Sequence, residues 1–113
     1  MSKSSRNKGK VGERECAAVL REMGWDARRG VQHAGGPDSP DVVSDFPLHI
    51  EVKRVERLNL WKAYVQAMED AAAAGRPPCV IHRASRQPWL ITLSLEDFNS
   101  LIRHNPENKP CQH

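Results

Sequence analysis

The sequence predicts an α/β domain in which a mixed central β-sheet is flanked by helices. Helical periodicity and short strand-like runs alternate along the chain, in the order helix, strand, hairpin, helix, strand, strand, helix. The chain has 113 residues, of which 39% are hydrophobic, and this suffices for one modest core but not for two. We therefore expect one domain over residues 10–103, between a flexible basic arm at residues 1–9 and a disordered tail at residues 104–113.

The net charge and the cysteines restrict the class of protein. The formal net charge is +3 although 14 residues are acidic, as expected for a protein whose partner carries phosphates. The three cysteines are widely spaced and form no Cys-x-x-Cys pair, so we expect neither a disulfide framework nor a structural zinc site. The sequence shows no signal-peptide core, no apolar run of membrane-spanning length and no nucleotide-binding glycine motif. We therefore predict a cytoplasmic protein without a nucleotide cofactor.

A first helix is expected over about residues 10–23, where apolar or small residues fall at helical spacing and Gly24 follows as a stop. Glu13 lies at the edge of the buried stripe, because it is spaced by four and by seven residues from Ala17 and Leu20. Its carboxylate can therefore face the hairpin strands, or it can simply interact favourably with the positive end of the helix dipole. Upstream, Lys8 and Lys10 belong to a basic segment that either contacts a nucleic-acid backbone or keeps the terminus soluble.

A first strand is expected at residues 25–29, followed by a loop over residues 30–40 that is rich in glycine and proline. The strand ends in Arg28 and Arg29, and this basic pair is well placed to meet phosphates at the mouth of a cleft. In the loop, we interpret His33 as an exposed histidine in preference to a general base.

The stretch DVVSDFPLHIEVK, residues 41–53, predicts a hairpin with arms at residues 41–44 and 48–54. Residues two apart share a face of a strand, so the second arm separates an apolar face from a charged one. The core face holds Leu48, Ile50 and Val52, and the charged face holds His49, Glu51 and Lys53. The turn brings the first arm back alongside, so two carboxylates, Asp41 and Glu51, and the ammonium of Lys53 are expected to share one patch.

Four further elements complete the predicted sheet and its helical cover. A helix over residues 60–74 carries an apolar stripe on which Trp61 and Tyr64 either pack in the core or stack on bases. Residues 79–84 and 89–92 read as strands. Ser94 opens a last helix through a capping box, with Asp97 in place of the usual Glu or Gln.

The patch of two carboxylates and one ammonium suits phosphodiester hydrolysis. Adjacent carboxylates repel each other unless a cation lies between them, and Mg²⁺, with Mn²⁺ as a substitute, is the natural partner for oxygen ligands. The backbone carbonyl of Val52 is a further candidate ligand. The ion would lower the pKa of a bound water, while Lys53 could orient that water or stabilise the developing oxyanion. Asp38 also follows a proline and rivals Asp41, but Asp41 is preferred because a strand follows it directly.

The order of these motifs resembles a known signature. Pro40-Asp41, followed by Glu51-Val52-Lys53 at the end of an apolar strand, resembles the PD-(D/E)xK nuclease signature. With Gly12-Glu13-Arg14-Glu15 in the preceding helix, the chain is similar to the Holliday junction resolvase branch, in the small form carried by phages and prophages. The likeness covers about residues 8–98, and its short motifs are specific only through their order and spacing. A second Glu-x-Lys triplet, Glu107-Asn108-Lys109, lies in the polar tail and is expected to be solvated and inert.

The resemblance implies a restriction-endonuclease-like core and a Mg²⁺-dependent endodeoxyribonuclease that acts on branched DNA such as four-way junctions. It also implies a product with a 5′-phosphate, a homodimer and, for a phage-encoded protein, action in the host cytoplasm. Within the site it implies that Glu13 joins the metal ligands, that Gln66 lies close to them and that Arg14 contacts the substrate. The full predicted DNA-binding set is Lys8, Lys10, Arg14, Arg28, Arg29 and Arg54.

Two alternatives stay open at this point. One is a non-catalytic DNA-binding module that uses the basic arm and the loop, with acids that serve only the fold. The other is a nuclease of the same fold with a different substrate, such as a repair nickase or a restriction-like enzyme.

Overall fold

The computed structural model describes residues 3–30 and 41–104, with side chains from residue 9. Within those ranges the elements in chain order are α1 (Lys3–Glu22), β1 (Ala27–Arg29), β2 (Val42–Ser44), β3 (His49–Arg54), α2 (Leu60–Ala71), β4 (Pro78–Arg83), β5 (Leu90–Thr92) and α3 (Leu95–Arg103). The predicted fold class is confirmed, since parallel and antiparallel strands form a mixed sheet with helices packed against it. The predicted loop residues His33 and Asp38 and the predicted tail after His104 lie outside the described residues.

The strands form two groups. In the larger group the order is β3-β4-β5, with β3 and β4 parallel and β4 and β5 antiparallel. Helix α2 is the crossover connection that parallel neighbours such as β3 and β4 require. In the smaller group β1 pairs antiparallel with β2, and Arg28 lies opposite Val43.

The predicted hairpin of residues 41–54 was wrong in its pairing. Strand β2 forms its ladder with β1, and β3 forms its ladder with β4. The first residue of the predicted arm nevertheless reaches β3, because the Asp41 backbone N–H donates to the Ile50 carbonyl at 3.3 Å. Asp41 therefore lies beside β3 as predicted, although β2 and β3 do not form a continuous hairpin.

Strand β3 lies at the centre of the packing and is covered on both faces. On one face, residues of α1 and of the sheet form the main core cluster, whose members include Cys16, Ala17, Leu20, Leu48, Ile50, Val52, Cys79 and Ile81. On the other face, Ala63 and Ala67 of α2 pack with Val80. The predicted alternation along β3 is confirmed, but the charged face is covered as well, so His49 and Glu51 are each only 4% exposed.

Gly12 determines how closely α1 approaches the sheet. A Cβ atom at this position would lie 3.0 Å from the Cβ of Arg54, which is tighter than ordinary van der Waals contact. Because glycine has no side chain, the helix can lie directly on β3 at this point. The residue that follows, Glu13, is thereby carried to the edge of the sheet.

Helix α1 is longer than the sequence predicted. It begins at Lys3 rather than near Lys10, so most of the segment predicted to be a flexible arm is helical and the predicted boundary was wrong. Residues 3–9 contain no proline, and most of them are compatible with a helix that the packed residues downstream already nucleate. No helix among the described residues has the length and apolar character to cross a membrane.

Helix α2 packs through its alanines instead of its large apolar side chains. Its buried residues are Ala63, Ala67 and Ala71, whereas Trp61 is 79% exposed. Of the two alternatives for Trp61, packing in the core is therefore excluded, while Tyr64 is half-buried against the second core cluster. Alanine allows the helix axis to come close to the sheet, and hydrophobicity alone does not reveal this geometry. Helix α3 is capped by Ser94 as predicted, since its side chain accepts from the Asp97 N–H at 3.0 Å.

Candidate active site

Asp41 and Glu51 meet where β2 begins beside β3. The Oδ2 atom of Asp41 accepts a hydrogen bond from the Val52 backbone N–H at 2.9 Å. The side chains of Asp41 and Glu51 also share a hydrogen bond. The two carboxyl groups that the sequence predicted to share a patch are therefore in direct contact, on the side of β3 that faces α2.

Burial makes it costly for both members of this pair to be ionised. Burial, reinforced by the negative charge of Asp41, raises the pKa of Glu51 to about 8. Burial also raises the pKa of Asp41, although the hydrogen bond from Val52 opposes the rise. Their shared hydrogen bond raises the pKa of Glu51 and lowers that of Asp41. Ionisation of both acids at once is therefore unfavourable at this site.

Lys53 lies beside the pair, as the alternation predicted. Its Nζ atom is 3.7 Å from Glu51 Oε1, and its side chain is one-third exposed. Its positive charge acts against the rise in the pKa of both acids. Lys53 thus lies between the buried carboxyl groups and solvent.

Glu13 lies near the pair but has a different direct partner. Its Oε1 atom accepts from Arg29 Nε at 3.1 Å, so β1 and α1 are joined by this ion pair. Burial and then the charge of Asp41 raise the pKa of Glu13, and the Arg29 guanidinium opposes that rise. Glu13 is therefore within electrostatic range of Asp41, as its position at the edge of the helical stripe predicted, but in this state it is bonded to an arginine.

Asp70 is a member of this neighbourhood that the sequence analysis missed. It is half-buried on α2, and its negative charge contributes to the raised pKa of both Asp41 and Glu51. Gln66, the predicted site residue on this helix, lies one turn earlier and is exposed. The signal that could have found Asp70 is its spacing of four residues from Gln66, beside the buried alanine face.

The predicted DNA-binding residues fall into two groups. Lys10, Arg14 and Arg28 are exposed. Arg29 and Arg54 instead form ion pairs with acids of α1, namely Glu13 at 3.1 Å and Glu15 at 3.0 Å. The side chain of Lys8 lies outside the described residues.

The donor set fits a hard divalent cation with an incomplete protein shell. Among the described residues no three His, Cys, Asp or Glu side chains converge on a common point, so a cage made only of side chains is absent there. Mg²⁺ does not require one, because it is commonly held by one or two carboxylates while it keeps several waters. The Val52 N–H points to Asp41, and in a strand the carbonyl of the same residue faces the same edge. The carboxylates of Asp41 and Glu51 and this carbonyl therefore form a suitable set of oxygen donors.

Comparison with known proteins identifies the class. The Holliday junction resolvase Hjc from the archaeal hyperthermophile Archaeoglobus fulgidus has a similar structure, with a TM-score of 0.57 and 25% sequence identity over 72% of each chain. The fold is that of the restriction-endonuclease-like nucleases, which confirms the expectation drawn from the motifs. The model of the phage PDDEXK endonuclease family matches residues 4–112. The chain belongs to this family of nucleases. No curated protein matches the chain.

The raised pKa of Glu51 predicts how the stability of the metal-free protein depends on pH. Between its ordinary pKa of 4.5 and about 8, Glu51 is ionised in the unfolded chain while the folded protein keeps the proton. The folded state therefore loses stability as pH rises through this window, and the loss levels off above it. The measurement in EDTA is the melting temperature of Glu51→Gln minus that of the unmodified protein. We expect this difference to be larger at pH 8 than at pH 5 by about 5 °C.

The exposed acid Glu22 provides the matched control for this measurement. Glu22→Gln should leave the difference in melting temperature constant across the same pH range. A constant difference for Glu51→Gln as well would show that Glu51 ionises normally in the folded protein.

Proposed function

We propose that this protein is a Mg²⁺-dependent endodeoxyribonuclease, with Mn²⁺ as a substitute, that selects branched DNA such as four-way junctions. The observation that carries the proposal is the buried contact of Asp41 with Glu51 beside Lys53. Membership of an endonuclease family supports the reaction, and the similarity to a Holliday junction resolvase supports the choice of substrate. We further propose action in the cytoplasm, where buried free thiols such as those of Cys16 and Cys79 stay reduced.

In this proposal Asp41, Glu51 and the Val52 carbonyl hold the cation, which supplies charge neutralisation at the phosphate when bound. Lys53 orients the attacking water and stabilises negative charge as it develops on the phosphate oxygens. A bound cation would offset the repulsion between the two carboxylates, so both could be ionised at neutral pH. Hydrolysis would leave a 5′-phosphate at the nick.

The surrounding residues take supporting roles in the proposal. Glu13 assists the carboxylate pair from α1 once Arg29 turns toward a phosphate, and Gln66 approaches the site from α2. Arg14, Arg28 and Lys10 are exposed and can contact backbone phosphates directly. Lys8, Arg29 and Arg54 complete the proposed DNA-binding set.

Removal of the acids should abolish cleavage without abolishing DNA binding. We expect Asp41→Ala and Glu51→Ala to lose cleavage by at least about 1,000-fold and Lys53→Ala by about 100-fold, because each removes a group that acts on the reacting phosphate. The measurement is Mg²⁺-dependent nicking of a panel of linear duplex, flap, three-way and four-way DNA. Affinity for the four-way substrate should change less than about fivefold, since phosphate contacts elsewhere dominate binding.

Glu22→Ala, an exposed acid at the end of α1, is the control and should cleave normally. Cleavage retained by Asp41→Ala or Glu51→Ala would overturn the assignment of the site. Binding without cleavage by the unmodified protein on every substrate would favour the non-catalytic binding module, and preferred cleavage of linear duplex would favour a restriction-like enzyme.

Asp70 should strengthen cation binding from a distance. Its charge acts on both carboxyls of the pair, so Asp70→Asn should weaken Mn²⁺ affinity about two- to fivefold in calorimetric titration. Glu69→Gln removes the same charge from the adjacent exposed residue of α2 and should leave the affinity unchanged. Equal effects of the two substitutions would mean that Asp70 contributes only to the general charge of the protein.

A second copy of this chain is the proposed partner, because symmetric cutting of a junction requires two sites related by a twofold axis. Helix α3 supports this proposal. None of its residues is fully buried, and Leu95, Phe98 and Ile102 are exposed at positions that share one helical face. An apolar face of this kind suits an isologous interface.

Phe98→Glu places a charge in the middle of that face and should convert a dimer into a monomer, as measured by light scattering at micromolar concentration. Ser100→Glu adds the same charge to an exposed position on the opposite side of α3 and should leave the dimer intact. A monomeric unmodified protein, or a Phe98→Glu variant that remains dimeric, would contradict the assignment of this interface.

A further inference from the structure

A pocket of about 270 Å³ adjoins the candidate active site at the ends of β3 and β4. Lys53 forms part of its wall and also lies 3.7 Å from Glu51, so one side chain borders both the pocket and the carboxylate pair. His82 is the direct neighbour of Lys53 in the parallel ladder and forms the next part of the wall. Any group that occupies the pocket therefore lies beside Lys53, the residue that the proposed mechanism places at the reacting phosphate.

The two rims of the pocket are held together by hydrogen bonds. Glu56, in the connection from β3 to α2, accepts from the backbone N–H of Ser85 at 3.3 Å and also from its hydroxyl group. Ser85 lies in the turn between β4 and β5, where Arg86 adopts a positive φ of 64° that non-glycine residues rarely take. Strained backbone of this kind is concentrated at ligand-binding sites. The turn places Gln87 and Pro88 in the pocket wall.

The lining has the chemistry of a site for a flat heterocycle. Apolar surface comes from Leu58, Pro88 and Leu90, against which the face of a ring can pack. Hydrogen-bonding groups come from Gln87, Glu56 and His82, whose Nε2 is fixed by Thr92 Oγ1 at 2.9 Å. A base presents an apolar face and a polar edge, and both kinds of wall are present within one small volume.

A phosphate group suits this pocket less well than a base does. The carboxylate of Glu56 is part of the wall and would repel an anion. Glu56 already accepts from Ser85, and its carboxylate can accept a further hydrogen bond from the amino group of a base.

We propose that this pocket binds one unpaired nucleobase next to the phosphate that is cut. This inference rests on the proposed nuclease function and adds a specificity determinant to it. A base can enter only after it leaves the stack, and the energetic cost is lowest where DNA is already unpaired or distorted. The pocket would therefore contribute to the preference for branched over linear DNA.

The test combines a pocket-filling variant with DNA that lacks single bases. Ala84 lines the pocket, and Ala84→Leu fills part of its volume, whereas Ala73→Leu makes the same change on an exposed residue beyond the end of α2. Gln87→Ala removes a polar group without adding volume and serves if the first variant is unstable by circular dichroism. Four-way junctions carry an abasic site or 2-aminopurine at each nucleotide on either side of the mapped cut.

For the unmodified protein and for Ala73→Leu, we expect one abasic position to weaken DNA binding about tenfold, as measured by fluorescence anisotropy in Ca²⁺. The same position should lower kcat/KM for cleavage in Mg²⁺ by a similar factor. For Ala84→Leu and Gln87→Ala the same abasic site should cost less than about threefold. The 2-aminopurine fluorescence at that position should change on binding to the unmodified protein and not on binding to Ala84→Leu.

The possible failures are distinguishable. Cleavage with no sensitivity to any missing base, or with sensitivity that Ala84→Leu retains, overturns the pocket while the nuclease function stands. Base-dependent binding without cleavage supports the pocket and overturns the proposed catalysis. Absence of any anisotropy change with DNA overturns both.

Discussion

The contact between the two carboxyl groups of Asp41 and Glu51 is the constraint on which the site depends. Two acids are brought together in a region where Glu51 is 4% exposed, although burial opposes the charged form of each. A folded domain tolerates this only when other groups offset the cost. Here the Val52 N–H and the Lys53 ammonium stabilise negative charge on the pair. The arrangement is poor for stability and well suited to binding a cation, a combination that is common at functional sites.

Close packing on both sides of β3 creates this environment. The absence of a side chain at Gly12 brings α1 against the sheet, and the alanine face of α2 brings the second helix close on the other side. Each helix then adds one acid at the margin of the site, Glu13 from α1 and Asp70 from α2. The small residues at these two helix–sheet contacts contribute no functional group to the site. They affect its electrostatics because they allow the helices that carry Glu13 and Asp70 to lie close to it.

The local pattern of the sequence was sufficient to predict which side chains lie together around Asp41. Alternation along β3 placed Glu51 and Lys53 on one face, and the position of Glu13 at the edge of a helical stripe placed it near Asp41. The pairing of β2 was not predictable in the same way, because three residues carry little information and residues 30–41 separate them in sequence from their partner β1. Asp70 was missed because its role depends on how closely α2 packs, and the large apolar residues of that helix pointed to a different face. Hydrophobicity identified a helix correctly but did not reveal which side would face the sheet.

The ion pairs of α1 explain why a count of basic residues does not describe the proposed DNA-binding surface. Arg29 and Arg54 lie near the site, yet each is bonded to a glutamate of the same helix, Glu13 and Glu15. Both pairs are in partial contact with solvent, where ion pairs are individually weak, on the order of 1 kcal/mol or less, so a phosphate can displace the carboxylate at little cost. Release of Glu13 from Arg29 would at the same time free a carboxylate within electrostatic range of Asp41. Binding of the phosphate backbone and binding of a cation are therefore expected to favour each other, because both draw on the same exchange of partners.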